Sequence, residues 1–425
     1  MWGLGVETKN VVESLLDDTQ YHIEFNGYLS NHVKHAVIAL AGLSAPPSRI
    51  RGYWDEYTKL TPYGLPLEPA EPLNQTKDLT DEDLEQILGK KVDFPALCKF
   101  FDKRVQELGT PATLQRYAPL LIPGCVGGLT HGLIHLGWAL DAGHRWMTVE
   151  GMAYLAFCHV SAHPERFIDR SHDDSTPFQS LLRVADEWTS QDLGSWASDL
   201  IVGPKYGEAT GFHAELVPSG FQWNVAKVLE EGHPILYALP SWLDDMPVEK
   251  ALEGLYKMVN LFYLTSAGYG AGEDPTEEVE NSAEHTGSFL VLHLVTSLWA
   301  LEHIIASLEE GQQRQALKCF WVAMLGLGLT GSTGFPGRST LEAVEAIFSS
   351  HSDEEESGKG GKIGGEGWDS IVPRAIAEEE EHNIKLAYVE RELWRRYGKW
   401  SGFRLAASAF TTTPSIGPGR SSFKA

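Results

Sequence analysis

The chain has 425 residues, of which 58 are acidic and 34 basic, so its formal net charge at pH 7 is −24. Nucleic acids and anionic membrane surfaces are bound by positively charged patches, so this balance argues against both as partners. Apolar residues make up 43% of the chain and charged residues 22%, which is ordinary for a globular protein and too apolar for a disordered one.

Apolar residues recur at intervals of three and four along most of the chain, and this period predicts an all-α fold. The pattern first runs through residues 29–40, and Asp81 after Thr80 opens a short amphipathic helix. It returns across residues 129–140. Alternation with a period of two is scarce, so we expect few strands.

The later part of the chain carries two more predicted helices. The most apolar segment spans residues 289–304, with Asn281 or Ser282 as its start signal, and a helix opens in the acidic run at residues 378–381 and continues to Tyr397. The acidic run itself is favourable at the start of a helix, because the helix dipole attracts negative charge there.

The composition suggests one large unit with two irregular segments. We expect residues 1–400 to form a single large helical domain or helical array. Residues 351–367 are acidic and Gly-rich, as in a solvated loop or linker, and residues 401–425 are predicted to be an irregular C-terminal tail.

The cysteines and the N-terminus bear on location. Cys98, Cys125, Cys158 and Cys319 are far apart and form no CxxC pair, which indicates free thiols of a reducing compartment. The first residues lack a basic region followed by an apolar stretch, and no apolar run approaches the length of a membrane span. We therefore expect a cytoplasmic protein without a membrane segment.

A GxGxxG match at residues 326–331 suggests a dinucleotide site, but its context is wrong. The motif requires a strand before it and a helix opening at its third glycine. An apolar helical pattern precedes it here, and Gly334, Pro336 and Gly337 follow. We interpret these glycines as small residues at a helix end.

Histidines are the most informative residues of the chain. His32 and His35 lie at i,i+3, His131 and His135 lie at i,i+4, and His293 lies inside an apolar run. Each alone is more typical of a hydrogen-bonded core histidine. Together they suggest a metal, because imidazole suits iron, zinc and copper and helical bundles build metal sites from facing helices.

A second candidate group lies at residues 378–385, where His382 and Lys385 share a helix face. A lysine ammonium has no lone pair, but a desolvated lysine with a lowered pKa can coordinate a metal as the amine or capture carbon dioxide as a carbamate. Glu378 or Glu381 is an alternative to Lys385 as a ligand, since Glu378 would lie at i,i+4 from His382.

Four segments resemble the questin oxidase-like proteins of fungal polyketide pathways and their bacterial relatives. They are LSNH at residues 29–32, THGLIHLG at 130–137, LHLVT at 292–296 and EHNIK at 381–385. The resemblance implies an all-helical enzyme that oxidatively opens an anthraquinone or a related polycyclic aromatic ketone in secondary metabolism. Members of the family are described either as NADPH-dependent Baeyer-Villiger-type oxidases or as mononuclear non-haem iron dioxygenases, and the second description implies an iron site with dioxygen as co-substrate.

Carried over residue by residue, the resemblance implies five metal ligands: His32, His131, His293, His382 and Lys385, with Lys385 carboxylated. His35, His135 and Trp138 become candidates for the substrate pocket, because each shares a helix face with a proposed ligand. NADPH is a possible external reductant, and a reductase is a possible partner.

Two other functions remain open at this point. One is a metal-free, NADPH-dependent Baeyer-Villiger-type monooxygenase on a similar substrate, although the chain has no convincing dinucleotide or flavin motif. The other is a non-catalytic helical binding protein that uses its histidines structurally. Stoichiometric iron distinguishes the dioxygenase from both.

Overall fold

The computed structural model describes residues 3–167, 171–201, 216, 220–271, 285–331, 334–350 and 366–414. Helices dominate this part of the chain, which confirms the all-α fold predicted from the period of apolar residues. Among the residues described, no helix is both long and apolar enough to cross a bilayer.

Twenty α-helices are present in the described ranges. The first ten are α1 Val6–Leu16, α2 Val33–Gly42, α3 Pro47–Lys59, α4 Asp81–Ile87, α5 Phe94–Leu108, α6 Thr110–Leu121, α7 His131–Ala142, α8 Arg145–Phe157, α9 Pro177–Ser190 and α10 Leu193–Ile201. The other ten are α11 Phe221–Glu231, α12 Pro234–Tyr237, α13 Trp242–Asp245, α14 Val248–Ser266, α15 Phe289–Ile305, α16 Glu310–Thr330, α17 Arg338–Phe348, α18 Trp368–Ala377, α19 Glu381–Arg396 and α20 Ser401–Ser408.

Each strand has only two residues. A hairpin pairs β1, Glu24–Phe25, with β2, Leu29–Ser30, in antiparallel register, and β3, Ser171–His172, pairs in parallel with β4, Leu239–Pro240. Because Leu29 and Ser30 are taken up by the hairpin, the first predicted helix begins only at Val33.

The core is built around α7, which packs against α8 on one side and α15 on the other, while α2 packs against α19. Glycines allow the close approach of α7 to both neighbours. A Cβ on Gly137 would lie 2.2 Å from Cα of Ala300 in α15, and one on Gly151 in α8 would lie 2.4 Å from Cα of Leu136. These two contacts fix the separation of the three central helices.

The predicted helix starts are partly confirmed. Thr80 caps α4 through a reciprocal pair of hydrogen bonds with Asp83, as its sequence position predicts. Helix α15 is capped by Ser288 rather than by Asn281 or Ser282, which lie outside the described residues.

The irregular tail predicted from residue 401 is wrong for its first eight residues. They form α20, which is fully buried and packs against α19, because Phe403, Leu405 and Ala406 supply an apolar face. Residues 415–425 and most of the predicted loop, 351–365, lie outside the described residues, and α18 begins at Trp368.

The GxGxxG segment is helical, as interpreted from its context. Gly326 and Gly328 lie inside α16, and Gly331 is the residue at which that helix ends. Gly326 packs against the side chain of Leu229, so its small size serves helix packing. The four cysteines are buried and make no disulfide.

Candidate metal centre

The five predicted ligands come from the N-terminal ends of four helices that converge in the core. His32 is the N-cap of α2, His131 is the first residue of α7, and His293 lies in the second turn of α15. The remaining two, His382 and Lys385, occupy the start of α19. All five are buried, and His131 is the most exposed of them at 6%.

The four imidazoles form a closed ring. The centroid of His32 lies 4.5 Å from those of His131 and His382, and the centroid of His293 lies 4.8 Å from those same two rings. The structure therefore brings together histidines that are separated by up to 350 positions in the sequence (382 − 32).

Nitrogen atoms face each other across this ring. The Nε2 atom of His293 lies 3.1 Å from Nε2 of His131 and 3.2 Å from Nε2 of His382. One nitrogen from each of His32, His131 and His382 lies within 4.8 Å of the others, a spacing at which a single ion can contact all three.

The opposite ring nitrogens fix the tautomers. Nδ1 of His131 contacts the carbonyl of Gly128, Nδ1 of His293 lies 2.7 Å from the carbonyl of Phe289, and Nδ1 of His382 lies 2.5 Å from Oε1 of Glu380. A carbonyl oxygen only accepts, and an ionised Glu380 carboxylate does too, so each Nδ1 donates. Each Nε2 is left with a bare lone pair.

Three lone pairs that point at one another repel unless a cation lies between them. A transition-metal ion meets this requirement, because neutral imidazole is a preferred ligand and its second nitrogen is commonly held by a carbonyl or a carboxylate. The donor set therefore fits a metal such as iron.

Burial keeps the imidazoles neutral. It is the largest cause that lowers the pKa of each ring, and the nearby Lys385 lowers these pKa values further; for His131 the pKa falls to about 3. Protons therefore do not compete with a metal for these nitrogens near neutral pH.

Lys385 completes the cluster. Its Nζ lies 2.8 Å from Nδ1 of His32, and its side chain is fully buried. Burial lowers the pKa of Lys385 to about 8, against the opposing influence of Glu381 and Glu380. A substantial fraction of the free amine therefore exists near pH 8, which either coordination or carbamate formation requires.

The alternative carboxylates differ in position. Glu378 precedes α19 and so does not share a helix face with His382, contrary to the expectation from its spacing. Glu381 is fully buried, with Oε1 3.7 Å from Nδ1 of His382, and burial raises its pKa well above the usual value. Glu381 therefore stays an alternative ligand. A second set of atoms that could hold an ion comes from Glu380, Glu381 and His382.

Two of the predicted pocket residues, His35 and His135, form a buried series of polar contacts beside the cluster, and this series ends at Glu150. Nε2 of His35 lies 3.0 Å from Nδ1 of His135, whose Nε2 lies 3.4 Å from a carboxylate oxygen of Glu150. Lys34 donates to the same carboxylate at 2.7 Å. Trp138 is fully buried and packs against His35 and Tyr388, so its ring belongs to the core.

A cavity of about 420 Å³ reaches the Glu150 end of this series of contacts. Its wall contains Glu150 together with the aromatic side chains of Tyr21, Phe94 and Trp146. Sequence reasoning missed both Glu150 and Glu380. Glu380 was visible only as one of four consecutive glutamates, and Glu150 had no signal that related it to His135.

Comparison with known proteins gives one family match. A family described as questin oxidase-like matches residues 29–389, which include all five candidate ligands.

Three curated relatives from fungi are similar over parts of the chain. A questin oxidase of Aspergillus fumigatus is 26% identical over 171 residues, 36% of this chain and 38% of the relative. Baeyer-Villiger oxidase AgnL3 of Paecilomyces divaricatus is 28% identical over 166 residues, 37% of this chain and 32% of the relative. Baeyer-Villiger monooxygenase AacuH of Aspergillus aculeatus is 24% identical over 194 residues, 41% of this chain and 39% of the relative. Each alignment thus spans well under half of the relative.

Proposed function

This chain belongs to the questin oxidase-like family, and on that premise we propose that it is an oxidoreductase acting on an anthraquinone-like polycyclic aromatic ketone. The proposed reaction is oxidative ring opening by cleavage of a carbon–carbon bond, with dioxygen as co-substrate. Non-haem iron would be held by His32, His131, His293, His382 and Lys385.

One observation carries this proposal: the Nε2 atoms of three buried imidazoles converge, while each opposite Nδ1 faces an oxygen acceptor, an arrangement that leaves the Nε2 atoms without protons. Such an arrangement is unfavourable in a purely structural cluster, where at least one nitrogen of each facing pair would carry a proton and donate. It is favourable around a metal ion. Questin oxidase and the Baeyer-Villiger oxidases among the relatives support oxidative chemistry.

Iron at this site would supply the electron exchange with dioxygen that an aromatic ketone lacks by itself. The chain contributes position and environment. Glu380 holds the ring of His382 with Nε2 turned inward, and the carbonyls of Gly128 and Phe289 do the same for the other two histidines. Burial of all five side chains excludes bulk water from the reacting region.

Lys385 has two ways to act as a ligand. Its neutral amine can donate directly, or it can attack carbon dioxide, forming a nitrogen–carbon bond and releasing one proton to give an anionic carbamate. The carbamate would bring an oxygen donor and a negative charge to a site whose other ligands are neutral. The lowered pKa of Lys385 favours both routes over the ammonium.

Metal analysis tests the proposal directly. We expect about one iron per chain in protein purified without chelator, and loss of most of it in His293→Ala and Lys385→Ala. His303→Ala is the matched control, because His303 lies on the same helix α15, remote from the cluster and beside Asp141. Absence of iron after anaerobic reconstitution of the wild type with iron(II) would overturn the proposal.

The names of two relatives favour a second candidate, a Baeyer-Villiger-type monooxygenase, for which NADPH is the proposed reductant. The two candidates differ in metal dependence. If chelated, metal-free protein consumes NADPH and dioxygen and forms a lactone or ester from an anthraquinone substrate, the second candidate is correct. If turnover appears only after iron(II) is added, it is wrong.

A further inference from the structure

The backbone immediately before His131 adopts an unusual conformation. Gly128, Leu129 and Thr130 have φ angles of 59°, 52° and 65°, so three successive residues lie in the left-handed region. Leu129 and Thr130 are the only adjacent pair of non-glycine residues with positive φ in the part of the chain that is described. A β-branched residue such as threonine rarely adopts this conformation, because its side chain crowds the backbone.

Close packing against the segment after α8 holds the turn in place. A Cβ on Gly127 would lie 1.7 Å from the carbonyl oxygen of Cys158, so this position admits only glycine. Cys125 forms a parallel bridge with Val160, and the backbone N–H of Ala162 donates to the carbonyl of Pro123 at 2.7 Å. The packing around the turn therefore holds it in a conformation that the turn's own residues disfavour.

The strained turn directs the carbonyl of Gly128 at His131. The left-handed path turns the carbonyl of Gly128 back toward His131, where it accepts hydrogen bonds from both the backbone N–H, at 3.1 Å, and the ring Nδ1. With Nδ1 engaged, Nε2 of His131 points into the cluster, 3.1 Å from Nε2 of His293. A relaxed turn would leave the ring of His131 without this anchor.

We propose that the turn of residues 128–130, the left-handed turn, is a positioning device that holds His131 in the Nδ1–H tautomer with Nε2 directed at the metal site. This inference rests on the proposed function, since it gives His131 the role of a metal ligand. Strained backbone that persists beside a functional group is commonly retained because the function needs it. The turn's residues are positioning residues and touch neither substrate nor metal.

The test compares Gly128→Ala with Gly143→Ala. Both glycines have positive φ, 59° and 67°, and flank the same helix α7 at opposite ends. An alanine Cβ at position 128 would lie 3.2 Å from Sγ of Cys158, a contact that small shifts accommodate. An alanine Cβ at position 143 would have no atom within 4 Å. Both variants are therefore expected to fold with a similar left-handed penalty, but only the first changes the residue whose carbonyl His131 uses.

We expect Gly128→Ala to weaken binding of cobalt(II) or iron(II) at least tenfold and to change the cobalt absorption spectrum, while Gly143→Ala stays within twofold of the wild type at a similar loss of Tm. Equal affinities in the two variants would overturn the inference.

A second readout needs no metal. In the metal-free wild type, ¹⁵N shifts of the imidazole, assigned through His131→Gln, should report the Nδ1–H tautomer for His131, and Gly128→Ala should shift it toward Nε2–H. An Nε2–H tautomer in the wild type would sink the inference on its own. Failure of the wild type to bind any metal would instead remove the proposed function, so the two failures are distinguishable.

Discussion

At the scale of single residues, the hydrogen-bond partners of the candidate ligands decide which chemistry the site can perform. Glu380 illustrates this, because one of its carboxylate oxygens contacts Nδ1 of His382 and the other accepts the hydroxyl of Thr413. The carboxylate thereby selects the tautomer of His382 and raises the basicity of Nε2.

Glu380→Gln keeps the size of the side chain but removes its charge, and an amide can present its NH₂ group to Nδ1. We expect metal affinity to fall by about 10–100-fold, as is typical for such partners of metal-bound histidines. Isothermal titration with cobalt(II) measures this. Glu379→Gln is the matched control, since Glu379 is exposed, and it should leave the affinity unchanged.

The pKa of Lys385 predicts how metal affinity depends on pH. Below the pKa of about 8 a proton must leave Lys385 before it can coordinate, so affinity should rise about tenfold per pH unit up to pH 8 and then level off. The histidines, whose pKa values are lowered, add no slope near neutral pH.

In Lys385→Ala the affinity should be lower and flat between pH 6.5 and 8. A slope that persists in this variant would assign the proton to another group. Added bicarbonate should increase the affinity of the wild type alone if the ligand is the carbamate.

At the scale of helices, the contact between α7 and α15 sets the distance between His131 and His293. A methyl group on Gly137 would meet the backbone of Ala300, with both Cα and the carbonyl oxygen at 2.2 Å, so trimming the Ala300 side chain cannot relieve the clash.

Gly137→Ala should therefore destabilise the fold by about 1–3 kcal/mol, as overpacked cores do, and weaken metal binding by separating the two rings. Urea unfolding and metal titration measure the two effects. Gly52→Ala in α3 is the control, because no atom lies within 4 Å of its Cβ position, and it should stabilise the protein by up to about 1 kcal/mol. Unchanged metal affinity in Gly137→Ala would show that the two helices do not set the site's geometry.

The sequence predicted helices well because the apolar period is long and regular in α7, α15 and α19. It also predicted the five residues that meet in the core, through resemblance rather than spacing. It could not identify Glu380 among four adjacent glutamates, because the role of each depends on where α19 begins. It could not predict the left-handed turn either, since Leu129 and Thr130 carry no preference for positive φ. The buried helix α20 was missed because its eight residues are too few to display a period.

At the scale of the whole molecule, the C-terminal segment reaches back to the start of α19. Asn383 and the backbone of Thr411 exchange two hydrogen bonds, of 3.0 and 2.8 Å, and Thr413 donates to Glu380. The segment thus supports the carboxylate that orients His382.

Deletion of residues 410–425 should remove these bonds, weaken metal binding and lower Tm modestly. Deletion of residues 415–425 alone keeps the bonds, so the metal affinity should stay unchanged. Metal titration and thermal melts of both truncated chains measure the difference. Equal affinities would contradict a supporting role for Thr411 and Thr413.

The contact between His32 and Lys385 joins positions 353 residues apart. During synthesis at roughly 5–20 residues per second, the last ligand leaves the ribosome about 20–70 s after the first. A nascent chain therefore cannot form the complete proposed site until α19, which carries His382 and Lys385, has docked onto α2. If the proposed site holds iron, metal capture is the final step of maturation, and starving cells of iron should yield chains that are fully translated, folded through their helical core and susceptible to proteases chiefly at α19 and the segment that follows it.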